Sequence, residues 1–258
     1  MGFVIHNSMQ YRSIFISDVH LGTRGCKAEY LLSFLKQNEC ENLYLVGDII
    51  DGWRIRSKFY WPQSHNNVIR RILTKAKRGT NVIYVTGNHD EFLRNWVSFD
   101  LNVGDIKIVN HAVHESADGK NYWVIHGDSF DGITRYHKWL AILGDHAYAA
   151  LLTINIWFNW IRRKCGFGYW SLSSFVKQKA KQAVNFIHNF EDSVIGEAIN
   201  RGYDGVICGH IHKENIKDVN GKIYMNCGDW VESCTAIVEH NDGKFEVIRW
   251  IDENNNSN

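Results

Sequence analysis

Leu43-Tyr44-Leu45-Val46-Gly47-Asp48-Ile49-Ile50-Asp51 joins a short apolar run to a polar tip. An uninterrupted run of this kind predicts a buried β-strand. Open α/β sheets bind ligands just beyond the carboxyl ends of their strands. The stretch therefore predicts a strand that delivers two carboxylates to a site at the edge of an α/β sheet.

The same pattern occurs four more times. The other polar tips are Ser17-Asp18-Val19-His20 after Ile14–Ile16, Thr86-Gly87-Asn88-His89-Asp90 after Val82–Val85, His126-Gly127-Asp128 after Trp123–Ile125, and Gly209-His210-Ile211-His212 after Val206–Cys208. If the five strands share sheets, their tips meet at one edge. That edge then holds two Asp, one Asn and four His at ligand positions, which is enough for two metal ions.

The rest of the chain predicts one large α/β domain, residues 1–258. Helices are predicted at 29–37 and 66–77, and a strand pattern covers 106–113 and 122–125 about Asp118-Gly119. Further hairpins are predicted about Asn220-Gly221 and Asp242-Gly243. Strand patterns stop between 130 and 200, which predicts a helical cap inserted in the domain.

Composition limits the partners and the compartment. The formal net charge of +1 predicts no nucleic-acid partner. The six cysteines form no C-x-x-C pair and no signal peptide is visible, so we expect reduced thiols in the cytoplasm. The apolar stretch 140–161 contains Asp145, His146, Asn155 and Asn159, so it is not expected to span a membrane.

The donor types at the five tips indicate the metal. Asp18 and His20 stand at i and i+2, and a strand would direct both to one ion; the same argument applies to His210 and His212. Imidazole, carboxylate and amide oxygen together suit Mn²⁺, Fe²⁺ or Zn²⁺ better than Ca²⁺. We expect two divalent ions, with Mn²⁺ preferred.

The ordered series Asp18-x-His20, Gly47-Asp48-x-x-Asp51, Gly87-Asn88-His89-Asp90, His126-Gly127-Asp128 and Gly209-His210-x-His212 resembles the motifs of calcineurin-like metallophosphoesterases. The resemblance implies a four-layer α/β/β/α sandwich of two mixed sheets. It also implies one ion on Asp18, His20, Asp48 and His212, and a second on Asp48, Asn88, His126 and His210, so that Asp48 bridges.

The resemblance further implies two catalytic residues. The family's counterpart of His89 lies beside the leaving oxygen as an acid or charge stabiliser, and the counterpart of Asp51 orients it. Alternatively, Asp51 is the N-cap of a helix. For Asp128, a turn or a supporting role next to the metal ligands is as compatible with the pattern as a direct role in catalysis.

The predicted cap combines basic and aromatic residues. Between 146 and 190 there are six Arg or Lys and no Asp or Glu, interleaved with aromatic residues such as Trp157 and Trp160. Ser174, Lys177 and Lys181 share one helical face and are candidate substrate-binding residues. The alternative is a cap whose aromatics pack on the core while its lysines face water.

A closer resemblance is to the UDP-2,3-diacylglucosamine diphosphatases of lipid A synthesis, carried by Asp18-Val-His-Leu-Gly, Gly47–Trp53 and His126–Asp131. It implies hydrolysis of a nucleotide-linked lipid sugar to UMP and a diacylated sugar 1-phosphate, at the cytoplasmic face of the inner membrane, with Asp131 among the substrate-binding residues. One departure is His89, where the well-studied enzyme carries Arg.

Two other functions remain open at this stage. One is a metal-dependent phosphodiesterase that acts on cyclic nucleotides, other nucleotides or nucleic acid. The other is a non-catalytic scaffold, as in the retromer subunit of this fold. The complete set of ligand positions together with His89 disfavours the scaffold. An aromatic, basic cap disfavours a cyclic nucleotide as the substrate, because a cyclic nucleotide does not need an apolar chamber.

Overall fold

The computed structural model describes residues 9–99, 102–133, 161, 164–166 and 172–251, with the backbone alone at 9, 131–133 and 172–184. Its strands are β1 Met9–Ile16, β2 Asn38–Val46, β3 Asn81–Val85, β4 Asn102–Val103, β5 Ile106–Val109, β6 Ala112–Glu115, β7 Asn121–Val124, β8 Gly205–Cys208, β9 Asn215–Val219, β10 Lys222–Asn226, β11 Thr235–Glu239 and β12 Phe245–Arg249. Its helices are α1 Ala28–Gln37, α2 Gly52–Ser57, α3 Gln63–Lys77, α4 Arg94–Val97 and α5 Leu172–Asn200, with 3₁₀ turns at Glu91–Leu93 and Asp128–Ile133.

The strands form two mixed sheets. The larger has the order β12-β11-β1-β2-β3-β5-β4, and the smaller has the order β6-β7-β8-β10-β9. In the larger sheet β1, β2, β3 and β5 run parallel to one another, and in the smaller sheet β7, β8 and β10 do so. The five strands with polar tips are therefore β1, β2 and β3 of one sheet and β7 and β8 of the other.

Alternation along the strands fills two apolar layers. One lies between the sheets and includes Phe15, Val46, Val124 and Ile207. The other covers the outer face of the larger sheet, where Ile14, Ile16, Leu43 and Leu45 pack with the buried faces of α1 and α3. Full burial of each such side chain contributes about 1.5–3 kcal/mol. The two layers hold the tips of both sheets at a common edge.

Most predicted elements of the core are confirmed. The helices at 29–37 and 66–77 correspond to α1 and α3, and the turns at Asp118-Gly119, Asn220-Gly221 and Asp242-Gly243 join antiparallel pairs. The expectation of one strand pattern across 106–113 was wrong. β5 pairs with β3 in the larger sheet, whereas β6 pairs with β7 in the smaller one, because the chain changes sheets at Asn110 and His111.

The chain divides into two compact units, residues 1–129 with 194–258, and residues 130–193. The second unit falls within the predicted cap, whose limits of 130–200 stay a prediction. Within the described residues, none of the helices combines the length and apolar character needed to cross a bilayer. Apart from Ile161, the stretch 140–161 lies outside the described residues.

Candidate metal centre

The five polar tips form loops 17–21, 47–51, 86–90, 126–128 and 209–212, which we call the metal edge. Among the described residues, seven that are not glycine have positive φ, and five of them are predicted ligands: Asp18, His20, Asp48, His210 and His212, with φ between 52° and 72°. Side chains rarely adopt this conformation, and such strain concentrates at functional sites. The fold thus holds these loops against local backbone preference.

This geometry corrects the argument made from the spacing of Asp18 and His20. β1 ends at Ile16 and β8 ends at Cys208, so neither Asp-x-His nor His-x-His lies in a strand. The left-handed turns, not strand alternation, set the directions of these side chains. The expectation that His210 and His212 face one ion was wrong, because they lie in different groups of donors.

Two glycines allow the loops to approach each other. A Cβ on Gly47, whose φ is +76°, would collide with the imidazole of His126. A Cβ on Gly87 would collide with the carboxylate of Asp48. Glycine at these positions therefore allows the third and fourth tips to pack against the second.

Asp18, His20 and His212 form group one, whose donor atoms lie within 4.8 Å of one another. His20 Nε2 and His212 Nε2 lie 3.8 and 3.0 Å from Asp18 Oδ1. The other oxygen, Oδ2, accepts hydrogen bonds from Ser17 Oγ at 2.5 Å and from the backbone N–H of His210 at 2.8 Å. These bonds fix the carboxylate with Oδ1 directed at the two imidazoles.

Asp48, His126 and His210 form group two. Asp48 Oδ2 lies 3.3 Å from His126 Nε2, and His210 Nδ1 lies 3.3 Å from the same nitrogen. His126 Nδ1 lies 3.0 Å from the carbonyl oxygen of Val46, a contact that favours a proton on Nδ1 and leaves Nε2 as the donor atom to a metal. Asp48 Oδ2 is also 3.9 Å from His20 Nε2, so it faces both groups.

Several of these atoms lack the partners that buried polar atoms require. Within the described part of the chain, the buried atoms without a hydrogen-bond partner include Asp18 Oδ1, His20 Nε2, Asp48 Oδ2, Asn88 Oδ1 and His212 Nε2. The approach of His212 to Asp18 has the distance but not the geometry of a hydrogen bond. Buried polar atoms are nearly always satisfied, so a cluster of exceptions indicates an external ligand. Hard oxygen and imidazole nitrogen donors fit divalent cations.

The carboxylates and imidazoles of the cluster shift one another's pKa values. Burial alone would raise the pKa of Asp18, but His212 and His20 hold it well below its ordinary value. Burial would lower the pKa of His126, yet Asp48 raises it to about 10, and Asp18 and Asp51 likewise raise the pKa of His20 to about 9. The carboxylates therefore attract positive charge into the metal edge, and cations would compete with these protons.

Asp51 satisfies both interpretations proposed from the sequence. Its Oδ1 accepts from the backbone N–H of Arg54 at 2.8 Å and caps α2. Its Oδ2 lies 3.0 Å from His89 Nδ1 and 3.2 Å from His20 Nδ1. One carboxylate therefore hydrogen-bonds a candidate ligand and also lies at ion-pair distance from a candidate catalytic imidazole, without hydrogen-bond geometry to that ring. His89 Nε2 faces Asp48 Oδ2 at 3.9 Å, and the indole of Trp53 packs on its ring at 4.2 Å between centroids.

Asn88 is linked to the groups through its neighbours. The backbone N–H of His89 donates to Asp48 Oδ1 at 2.8 Å, which holds the loop against group two. Asp90, whose supporting role was not predicted, accepts from the N–H of Ile49 at 3.0 Å and from Tyr84 Oη at 2.6 Å. Its place in Gly-Asn-His-Asp was the only sequence clue.

The remaining candidates have mixed outcomes. Asp128 forms a bidentate pair with Arg94, with both N–O distances 2.9 Å, so it supports the loop of His126. The side chains of Asp131, Ser174, Lys177 and Lys181 lie outside the described side chains. Their contribution to substrate binding stays a prediction.

A family model described as calcineurin-like phosphoesterase matches residues 11–214. The chain therefore belongs to the calcineurin-like phosphoesterase family, and it is a metal-dependent phosphoesterase. The match includes the loops of all five polar tips. Divalent metals follow from the family, and the two donor groups provide places for them.

More specific similarity comes from relatives named UDP-2,3-diacylglucosamine hydrolase. The protein of that name from Neisseria gonorrhoeae is 24% identical over 230 residues, which cover 88% of this chain and 92% of the relative. One from Neisseria meningitidis serogroup A is 23% identical over 228 residues, covering 87% and 92%. The solved structure of a novel archaeal phosphodiesterase has a TM-score of 0.44 at 15% identity, covering 92% of this chain and 98% of its own.

Proposed function

We propose that the metal edge is a dinuclear centre. Asp18, His20, Asp48 and His212 would hold one ion, and Asp48, Asn88, His126 and His210 would hold the other. The observation that carries the proposal is the set of buried donor atoms without hydrogen-bond partners in the described part of the chain, taken from four of the five loops. Mn²⁺ is the preferred metal, with Fe²⁺ and Zn²⁺ as alternatives, because imidazole and carboxylate donors suit all three.

Two bound divalent ions would supply Lewis acidity to a phosphoryl group and lower the pKa of a water molecule. The chain's own residues would prepare the remaining chemistry. Val46 and Asp51 fix the rings of His126 and His20, so that each presents Nε2. Asp51 also holds His89 beside Asp48, which suits an imidazole that donates a proton to the leaving oxygen.

The proposed substrate is UDP-2,3-diacylglucosamine or a similar nucleotide-linked lipid sugar, cleaved to UMP and a diacylated sugar 1-phosphate. Two relatives that carry this substrate in their names align with 87–88% of the chain, which supports the assignment. Asp131, Ser174, Lys177 and Lys181 are the proposed substrate-binding residues. We place the reaction at the cytoplasmic face of the inner membrane, where an acylated substrate is accessible.

The test is direct detection of the nucleotide product. Mn²⁺-loaded protein is incubated with UDP-2,3-diacylglucosamine, and the release of UMP is followed by liquid chromatography. We expect UMP from the wild type and from His240→Ala, which removes a half-buried imidazole outside the metal edge, paired with Glu246 at 2.9 Å. We expect none from Asp48→Ala.

Each other outcome has a distinct meaning. Hydrolysis of a simple chromogenic diester without UMP release would replace the proposed substrate by the phosphodiesterase alternative. Failure on both substrates, with Mn²⁺ bound, would contradict the proposed catalytic centre.

A further inference from the structure

Arg94, at the start of α4, connects two loops of the metal edge. Its Nη1 and Nη2 donate to the two carboxylate oxygens of Asp128, both at 2.9 Å. Its Nη2 also donates to the carbonyl oxygen of Thr86, and its Nε donates to Thr86 Oγ1, each at 3.2 Å. A single planar guanidinium therefore contacts the loop after β3 and the loop after β7.

These two loops carry ligands from different sheets. Thr86 stands two positions before Asn88, and Asp128 stands two positions after His126. β3 belongs to the larger sheet and β7 to the smaller one, so no ladder of backbone hydrogen bonds relates them. Thr86 is itself anchored to the larger sheet, because its N–H donates to Val109 and its Oγ1 donates to Asn110 Oδ1 at 2.9 Å. The guanidinium thus joins the two sheets beside group two, in addition to the contact of His126 Nδ1 with the carbonyl oxygen of Val46.

Other contacts support group one, two of them from the backbones of His210 and Asp48. Ser17 and the backbone N–H of His210 hold Asp18, and Asp51 holds His20. The N–H of His20 donates to the carbonyl oxygen of Asp48 at 2.9 Å. None of these contacts, all between described residues, involves Arg94 or Asp128.

We propose that Arg94 is a positioning residue for the ion held by Asp48, Asn88, His126 and His210, and that it sets the affinity for that ion selectively. This inference rests on the dinuclear centre proposed above. The two parallel hydrogen bonds from the guanidinium to Asp128, rather than its charge alone, set the distance between the two loops. A Lys at this position would supply a point charge without that planar, bidentate geometry. Loss of a supporting contact of this kind costs about 10- to 100-fold in metal affinity.

The experiment is a titration of metal-free protein with Mn²⁺. Calorimetry measures the affinity for each ion, and electron paramagnetic resonance detects the coupled ion pair. For Arg94→Lys we expect one ion to bind as in the wild type, the other about 10- to 100-fold more weakly, and the coupled signal to appear only at higher Mn²⁺. Arg71→Lys is the matched control. Arg71 also binds a carboxylate and a backbone carbonyl, Glu39 Oε1 at 2.7 Å and Leu35 at 3.1 Å, at the far end of β2.

Asp128→Asn provides a second variant if Arg94→Lys does not fold, and it should show the same selective loss. Equal weakening of both ions, or unchanged binding of both, would overturn the positioning role, as would an identical effect of Arg71→Lys. If the wild type itself takes up fewer than two ions, the dinuclear centre fails. Two ions in the wild type with unchanged binding in Arg94→Lys and Asp128→Asn would refute the role of Arg94 alone.

Discussion

The two ends of the sandwich treat buried polar groups in opposite ways. At the end opposite the metal edge, Arg12, Tyr44, His114 and Glu239 form a closed network. Glu239 accepts from Arg12 at 2.9 Å and from the N–H of Ala117 at 2.8 Å, and it lies 2.8 Å from His114 Nε2. His114 Nδ1 lies 3.2 Å from Tyr44 Oη, so both of its ring nitrogens have a partner.

The metal edge also combines buried carboxylates and imidazoles, but several of their atoms have no hydrogen-bond partner among the described residues. Five of its ligand atoms, from four loops, are of this kind, and its backbone is in the left-handed region at five ligand positions. The closed network joins the sheets through β1, β11 and β6 and needs no further component. The difference teaches that a buried charged cluster contributes to folding where it is satisfied internally, whereas unsatisfied clusters are kept for a ligand.

The largest expected effect is at Asp48, which faces both donor groups. Asp48→Ala should lower hydrolysis of a chromogenic diester by about 10³-fold or more, because it removes the shared carboxylate. Steady-state rates at saturating Mn²⁺ measure the loss. Wild-type turnover in this variant would refute the dinuclear centre.

Next in size is His89, the imidazole held by Asp51 and Trp53. His89→Ala should reduce kcat by about 10²-fold or more, with a much smaller change in substrate affinity, if His89 donates a proton in the transition state. Steady-state kinetics at saturating Mn²⁺ separate the two parameters, with His240→Ala as the control. A loss confined to affinity would assign His89 to substrate binding.

Substitutions in the closed network should lower stability and leave activity unchanged. Glu239→Ala should reduce the free energy of unfolding by about 3 kcal/mol, because Arg12 and His114 lose their buried partner. Activity per folded molecule should be unchanged. The control is Glu246→Ala, which removes an exposed partner of His240 and should cost less than about 1 kcal/mol. A large loss of activity with intact stability would contradict the proposed division between the two ends.

The smallest effect concerns pH. Burial raises the pKa of Glu239, but hydrogen bonds from His114 and from the Ala117 N–H outweigh it and hold the pKa below its ordinary value of 4.5. The stability contributed by this carboxylate is therefore present above pH 4.5 and lost as the pH falls through the folded-state pKa. The difference in urea midpoint between wild type and Glu239→Gln should shrink over that range. A constant difference would exclude this linkage.

Local patterns were sufficient for the strands, the hairpin turns and the chemical nature of the site. Gly-Asp, Gly-Asn-His-Asp and Gly-His-x-His after apolar runs predicted loops at one edge, and the structure brings Asp18, His20, Asp48, His126, His210 and His212 into two donor groups. Local patterns gave the wrong result where residues close together in the sequence belong to different sheets or to different donor groups. The pattern 106–113 looks continuous but belongs to two sheets. The spacing of His210 and His212 indicated one ion, whereas the resemblance assigned them to two, and they lie in different donor groups.

The sequence by itself determined which donors exist and that they follow strands, because strand periodicity and turn residues act over a few positions. The family resemblance, not the spacing, had implied which donors share an ion. Only the tertiary structure decided that Asp51 contacts both His20 and His89, and that Arg94 joins Thr86 to Asp128. These relations depend on the packing of one sheet on another and on left-handed turns at residues other than glycine. Neither is encoded in local propensity, since both are imposed by contacts between residues far apart in the chain.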